Sequence, residues 1–458
     1  MAASRDYRRL SFWHDSVVSD RSIADALSPR TPLGGDTTVD VAIVGGGLTG
    51  LWTAYYLLER DPTLRVAVLE KHIAGFGASG RNGGWCSALF PASTAVLARE
   101  HGRPAALAMR RAMIDTVDEV GRVTAAEGID CDFVRGGTLS LARTPLQLAA
   151  ARAEVLEARG YGVDDLRLVE TGVGGALGVA FDPACARLHP TKLVRSLARV
   201  VESRGAVIYE QTEVLDWTAG SVTTAHGTVR AEHIVVATEG YGATLPKSRR
   251  GILPLYSLMI ATEPLDDRVW DDIGIAHGQT FTDYRHLLVY GQRTADNRFA
   301  FGGRGARYHW GSAIRDSYDR VPGVFEHLRA SLVDLFPQAA SAAVTHRWGG
   351  PLGVPRDWRA SVGFDPATGI ARAGGYVGDG LSTTNLAGRT LADLLTGAST
   401  ALTALPWVNH RSPLWETEPL RFAGANLGLA AMTIADTEER LTRRPSLAAR
   451  LMAPLVGH

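Results

Sequence analysis

The apolar residues of this chain recur with different periods, and the periods name the elements. Val39 to Val44 is a β-branched run that suits a buried parallel strand, and Val66 to Leu69 is a second strand. Between them a glycine cluster opens a helix, so the order is strand, turn, helix, strand. Leu193, Val194, Leu197, Val200 and Val201 line one face of a helix that a strand follows, and Met109, Met113, Val117 and Val120 repeat the helical spacing. "LPLYSLMIATEPL" and "HLLVYGQRTADNRFAFGG" read as strands, with Ala295-Asp296-Asn297 as a hairpin turn. Residues 419–455 predict amphipathic helices in which "EERLTRRPS" is a solvated face. One stretch has no period. "AGFGASGRNGGWCSALFP", residues 74–91, holds five glycines and predicts a long polar loop, a poor strand and a poor helix.

Glycine gives that loop its context. The chain has 50 glycines, clustered at 45–50, 75–84 and 374–380, and clustered glycine marks backbone that approaches something closely. Gly45, Gly47 and Gly50 form G-x-G-x-x-G between the first strand and its helix. Gly45 allows the tight turn, Gly47 lets a diphosphate reach the backbone, and Gly50 lets helix and strand pack closely. The helix N-terminus, beginning at Leu48 and Thr49, offers N–H groups and a positive dipole end to phosphate. Glu70 closes the second strand twenty residues after Gly50, followed by Lys71. A carboxylate there accepts hydrogen bonds from ribose hydroxyls, so the expected ligand is a dinucleotide without a 2′-phosphate. This element alone leaves NAD and FAD equally open.

The loop carries a resemblance. "GASGRNGG", Gly77 to Gly84, resembles the loop that follows the ribose-binding acid in the D-amino-acid-oxidase-like flavoproteins, in particular the γ-glutamylputrescine oxidase and glycine-oxidase-like branch. The resemblance implies non-covalent FAD. Gly77, Ala78, Ser79, Arg81 and Asn82 would serve diphosphate and ribityl oxygens, while Gly83, Gly84 and Trp85 would lie near the isoalloxazine. It places adenine near Val214, and the Ala237-Thr238 turn of "HIVVATEGYG" beneath the cofactor. Gly378, Gly380, Leu381, Ser382, Thr383 and Thr384, at the start of the last helix of the fold, would face the flavin pyrimidine edge. The implied fold class is α/β (α+β, two-domain): a Rossmann-like FAD-binding domain with a discontinuous, mainly antiparallel-sheet substrate domain. The expected division is 1–100, 186–250 and 346–405 for FAD, 101–185 and 251–345 for substrate, and 406–458 as a C-terminal helical extension.

Two departures from the family pattern bear on the reaction. Relatives of the glycine-oxidase kind carry a carboxylate-gripping arginine shortly after a Trp-x-Gly turn. Here Trp348 is followed by Gly349, Gly350, Pro351 and Leu352, which speaks against a simple α-amino acid. Where the family often has G-H-G, this chain has Gly378-Asp379-Gly380, and Asp379 would either face the flavin or cap the helix. The resemblance therefore implies an FAD-dependent amine oxidoreductase. Hydride from a primary or secondary amine would pass to flavin N5, and the imine would hydrolyse to an aldehyde. Trp85, Tyr256, Tyr290 and Trp348 are candidate walls. The alternative within the family is an aminophosphonate or amino-acid oxidase or dehydrogenase; Arg304 and Arg307 would hold a phosphonate if the substrate were an aminophosphonate, or stand as strand-end surface residues. A flavin-binding protein without amine turnover is the reading from a different class. The electron acceptor would be oxygen or a carrier.

Composition narrows the setting. Forty-eight basic and 48 acidic residues balance in 458, which argues against nucleic acid and anionic membranes as partners. Cys86, Cys131 and Cys185 lie far apart, form neither a zinc ribbon nor a redox pair, and fit a reducing compartment; no metal site is expected. "SRDYRRLSFWHDS" has no apolar run behind its arginines, and no segment is long enough to span a bilayer. A soluble, cytoplasmic protein is expected.

Overall fold

The computed structural model describes residues 5–19, 27–170 and 172–452. Ser4, which opens the Arg-rich N-terminal stretch, and residues 453–455 of the C-terminal helical stretch lie outside the described residues.

The strand Thr37–Val44 is the centre of the first of two eight-stranded sheets. Val66–Leu69 and Gly227–Val236 flank it in parallel, Val207–Tyr209 extends one side, and Ile370–Gly374 and Ser361–Asp365 extend the other. Helices cover this sheet, so Val41 to Val44 are buried, which is why the sequence runs β-branched there without alternation. Leu48–Arg60, Pro190–Ser203 and Gly380–Leu395 share one core with it.

The second sheet runs Val344–Val354, Leu253–Thr262, Phe299–Gly303, Val289–Arg293, Thr280–Asp283, Thr138–Ala142, Gly178–Asp182, Arg167–Val169. Its pairings are antiparallel except where Thr280–Asp283 runs parallel to Thr138–Ala142. Phe281, Phe299, Phe301, Trp270 and Leu332 pack under it. Thr294 N–H donates to the Arg298 carbonyl and Asn297 takes φ +62°, closing the expected hairpin.

Three placements differ from the sequence expectation. Helix Arg103–Ala126 buries Met109, Met113, Val117 and Val120 in the core of the first sheet, although it lies inside 101–185. Strand Val344–Val354 belongs to the second sheet, so the boundary at 346 falls within a strand. The loop 74–91 is not structureless: it contains a one-turn helix, Ala78–Arg81, and a strand, Trp85–Ser87, paired with Cys185–Arg187. Partners a hundred residues away supply the hydrogen bonds that local period does not.

Helices Leu420–Thr442 and Leu447–Met452 come last among the described residues, and Asp436 of the first accepts from the His286 and Leu287 N–H groups. Leu420, Leu427, Ile434 and Leu441 recur every seven residues on the exposed side, while Gly428 and Ala435 face inward. Arg443 and Arg444 are exposed, as a solvated face requires. Among the described residues no helix is long and apolar enough to cross a membrane.

Candidate functional site

All three glycine clusters open onto one cavity of about 550 Å³, a volume within the range of ligand sites. At one end stands the first turn. Gly45 has φ +111°, and a Cβ there would lie 2.5 Å from the Ala237 carbonyl oxygen, so the neighbouring strand end enforces glycine. Gly47 is the N-cap of Leu48–Arg60 and has no side chain to satisfy the helix's first N–H groups. Ser79 reaches across instead: its Oγ accepts from Leu48 N–H at 2.9 Å. Thr49 Oγ1 meets the Tyr376 hydroxyl at 3.0 Å. The part-buried Glu70 carboxylate accepts from Gly46 N–H (2.9 Å) and His72 N–H (2.8 Å), and desolvation pushes its pKa up to about 7. Lys71, paired with Glu213 at 2.6 Å, and Val214 line the same end, with Ala237 and Thr238 beside them.

The second cluster is held from behind. Successive carbonyls of the loop find donors from four distant parts of the chain. Thr191 Oγ1 donates to Gly80 O (3.0 Å), the Trp348 indole to Arg81 O (2.9 Å), the Trp13 indole to Asn82 O (2.8 Å), Gln292 Nε2 to Gly83 O (2.6 Å) and Leu188 N–H to Gly84 O (2.9 Å). Gly77, Ala78, Ser79, Arg81, Asn82 and Gly83 then line the cavity on the other side. Arg81 is buried and fully engaged: it donates to Asp319 Oδ2 (2.8 Å), Gly349 O (2.8 Å) and the Tyr241 hydroxyl (2.6 Å). Burial opposes its charge, but the Tyr241 phenol and the Asp319 carboxylate hold the proton on. Asn82 spends its amide on Ala78 O (3.0 Å) and its Oδ1 on Gly84 N–H (2.8 Å). These residues fit FAD. A side-chain-free helix N-terminus, a part-buried ribose-type acceptor and a backbone cradle open on one cavity are what a diphosphate, a ribose and a ring system require. Most of the expected cofactor-binding residues are thereby brought to one cavity, which Gly50, Gly84, Ser382 and Thr383 do not line.

The far end is the reactive candidate. Trp85 and Tyr290 meet edge to face, with ring centroids 6.0 Å apart. Trp85 Nε1 donates to Gly291 O (3.1 Å), and the Tyr290 hydroxyl bonds Ser257 Oγ (2.9 Å), so both rings are fixed. Asp379 occupies the N-cap of Gly380–Leu395 yet makes no side-chain cap bond. Its part-exposed carboxylate lines the cavity, and burial pushes its pKa up to about 6 against the opposing pull of Arg304. Gly378, Gly380, Leu381 and Thr384 line the cavity beside it.

Several expected residues lie elsewhere. Arg304 is a strand-end residue but not a surface one: it lines the cavity and donates to Val377 O at 2.8 Å, whereas Arg307 is exposed. Trp348 is buried behind Arg81 and does not line the cavity, nor does Tyr256. Ser382 donates to the Ser87 carbonyl and Thr383 to the Asp379 carbonyl, and neither lines the cavity. Gly50 meets the Gly45 carbonyl, in keeping with its packing role. The reason for glycine at 83 differs from the one expected: a Cβ there would lie 2.5 Å from the Tyr290 ring, and Gly84 abuts Gln292 and the Leu188 carbonyl. Protein, not ligand space, excludes their side chains.

Sequence reasoning missed three groups. Trp13 and Ser11, in the Arg-rich stretch read only for targeting, sit against the loop; the aromatic pair Phe12-Trp13 after a Ser N-cap was the available signal. Glu239, inside the quoted "ATEGYG" turn, is part-buried and accepts from Tyr376 N–H (3.1 Å); desolvation raises its pKa to about 7, opposed by the Tyr376, Gly353 and Gly375 N–H groups. Tyr241 and Asp319 left no local trace, since their roles depend on Arg81.

Comparison with known proteins agrees with this geometry. A family model described as "FAD dependent oxidoreductase" (DAO) matches residues 40–394. The chain is 29% identical over 426 residues to a γ-glutamylputrescine oxidoreductase of Escherichia coli (strain K12), covering 90% of this chain and 96% of the relative. It is 30% identical over 376 residues to a probable oxidoreductase, OrdL, of Haemophilus influenzae, covering 78% and 83%. Its fold is that of glycine oxidase from Geobacillus kaustophilus, with TM-score 0.67 and 23% identity over 81% of this chain and 99% of the other.

Proposed function

We propose that this chain, which belongs to the DAO family of FAD-dependent oxidoreductases, oxidises the C–N bond of a primary or secondary amine. FAD, when bound, would supply the acceptor for the hydride leaving the carbon beside nitrogen, and water then hydrolyses the imine to an aldehyde, releasing ammonia or an amine. The chain's own residues bind, orient and dry the substrate. Trp85 and Tyr290 form a fixed aromatic wall that excludes water and limits the poses an alkyl chain can take. Asp379 draws the amine in as its cation, since its carboxylate is ionised above about pH 6. Hydride departs from the neutral amine, and deprotonating an amine of pKa about 10 at pH 7 costs roughly 4 kcal/mol. Desolvation between the two rings offsets part of that by disfavouring the ammonium.

The observation that carries this reading is Asp379: it occupies a cap position, caps nothing, and presents its carboxylate to the cavity. Free, buried cysteines and the absence of a membrane-crossing helix among the described residues support a cytoplasmic setting. Anaerobic bleaching of the holoenzyme by small amines tests the reading, and aerobic peroxide release tells oxygen from a carrier as acceptor. In wild type, bleaching efficiency should fall as pH drops through about 6, because Asp379 takes up a proton and loses its charge. Asp379→Asn should lose most of the bleaching and all of that acid limb, with FAD content and melting temperature nearly unchanged. Full-rate bleaching in that variant would make Asp379 a structural residue.

A further inference from the structure

The C-terminal helix turns an apolar face to solvent. Leu420, Leu427, Ile434 and Leu441 are each between 58% and 75% exposed, so none of them packs on the core. Positions seven apart drift by only about 20° around a helix, so the four fall within about 60° of one another. They form one stripe along Leu420–Thr442. From Phe422 to Ala435 this helix carries no charged residue, unlike an ordinary solvated surface helix. Its opposite face is already tied down. Asp436 accepts from the His286 and Leu287 N–H groups (2.6 and 2.9 Å), Asn426 Oδ1 accepts from Tyr308 N–H (3.1 Å), and Gly428 and Ala435 are buried. The stripe faces outward on a helix that is fixed in place.

The charges beside the stripe are segregated. Asp436 is spent on the two N–H groups just named. Glu438 accepts from Ser446 Oγ (2.6 Å) and Leu447 N–H (3.1 Å), and Glu439 accepts from Ser446 N–H (3.0 Å) and meets His286 at 2.9 Å. Arg440, Arg443, Arg444 and Arg450 are exposed, and none makes a side-chain hydrogen bond or ion pair among the described residues. Leu447 and Leu451 stand exposed among them. The zero net charge of the whole chain hides this arrangement, in which local acids are engaged and local arginines are free.

A second copy of the chain fits such a surface poorly. An antiparallel partner helix would bring these arginines against the start of the helix, where Glu418 is spent on Tyr308 and Gly311, and Glu416 on Arg356. A parallel partner would set arginine against arginine. An apolar stripe that ends in unpaired cations is matched instead by a surface that is both apolar and anionic. We propose that the C-terminal helix docks this protein peripherally on an anionic lipid surface, with the leucine stripe at the acyl boundary and the arginines on the lipid phosphates. The helix lies on the bilayer and does not cross it, being too short of apolar residues to span.

The test is flotation of the FAD-loaded full chain with vesicles of phosphatidylcholine, alone or mixed with phosphatidylglycerol. Each arginine near an anionic surface contributes about five-fold, so the mixed vesicles should bind at least about ten-fold more tightly than the neutral ones. Raised salt should remove that difference. Arg443→Gln combined with Arg444→Gln should weaken binding to mixed vesicles about ten-fold or more. Leu427→Asn combined with Ile434→Asn should abolish flotation. All four side chains are exposed, so FAD content and melting temperature should match wild type in both variants. Leu156→Asn, at a comparably exposed leucine on helix Pro145–Gly160, should float as wild type does. The proposal is overturned by absence of flotation with mixed vesicles, by equal affinity for neutral and mixed vesicles, or by flotation that survives Leu427→Asn with Ile434→Asn. A dimer in sedimentation equilibrium that those two substitutions dissolve also overturns it, because a second copy then occupies the stripe.

Discussion

The glycine turn at 45–50 and the glycine loop at 77–84 line the same cavity, but they are built in opposite ways. The turn is local: a strand, three glycines, a helix and Glu70 lie within 34 residues, and each part constrains the next. The loop has only one turn of helix of its own and owes its path to Trp13, Leu188, Thr191, Gln292 and Trp348. A local element can be read from spacing. A borrowed one is as stable as the elements that lend it hydrogen bonds, so damage to it should appear first in stability and only then in cofactor binding.

The largest effect should come from the local side. Gly47→Val puts a branched side chain at the helix N-terminus, where even a Cβ would lie 2.9 Å from Ser79 Oγ. The variant should purify colourless, and yellow protein with full FAD content would refute the assignment of this turn. On the borrowed side, Arg81→Met strands the part-buried Asp319 and should cost about 3–5 kcal/mol of unfolding free energy. A denaturation midpoint within error of wild type would show that the loop does not depend on this anchor. Glu70→Ala, back on the local side, comes next: it removes an acceptor of about 1.5–3 kcal/mol from the cofactor, measured as weaker reconstitution of apoprotein with FAD. Loss of all FAD binding there would mean that Glu70 chiefly holds the turn through Gly46 and His72. The smallest effect belongs to Trp348→Phe, which keeps an aromatic ring but orphans the Arg81 carbonyl. About 0.5–1.5 kcal/mol of stability should go, with FAD retained; a change in substrate preference instead would place Trp348 at the cavity after all.

The helix over 190–203 and the strand at 66–69 were legible because amphipathic period and β-branched runs act over a few residues. The C-terminal helix was legible as a helix but not in orientation: Leu420, Leu427, Ile434 and Leu441 lie outward, and period alone carries no information about which face meets the protein. Helix Arg103–Ala126 was likewise legible as an element, while its place in the first sheet's core was set by contact with Gly380–Leu395, far along the chain.

The sequence by itself determined the dinucleotide turn, the acid that follows it, and the resemblance that implied FAD, because spacing along the backbone dictates each of them. Only the tertiary structure decided what the chemistry-bearing side chains face. Asp379 could cap or not cap with the same neighbours in sequence, and Arg304 could end a strand at the surface or in a cavity. Trp348 reads as a pocket wall and stands behind Arg81. Which of these holds depends on groups such as Val377, Trp358 and Asp319, brought close from distant parts of the chain. Local spacing sets the backbone's course, but a side chain's partner is chosen by burial, and burial is a property of the whole fold.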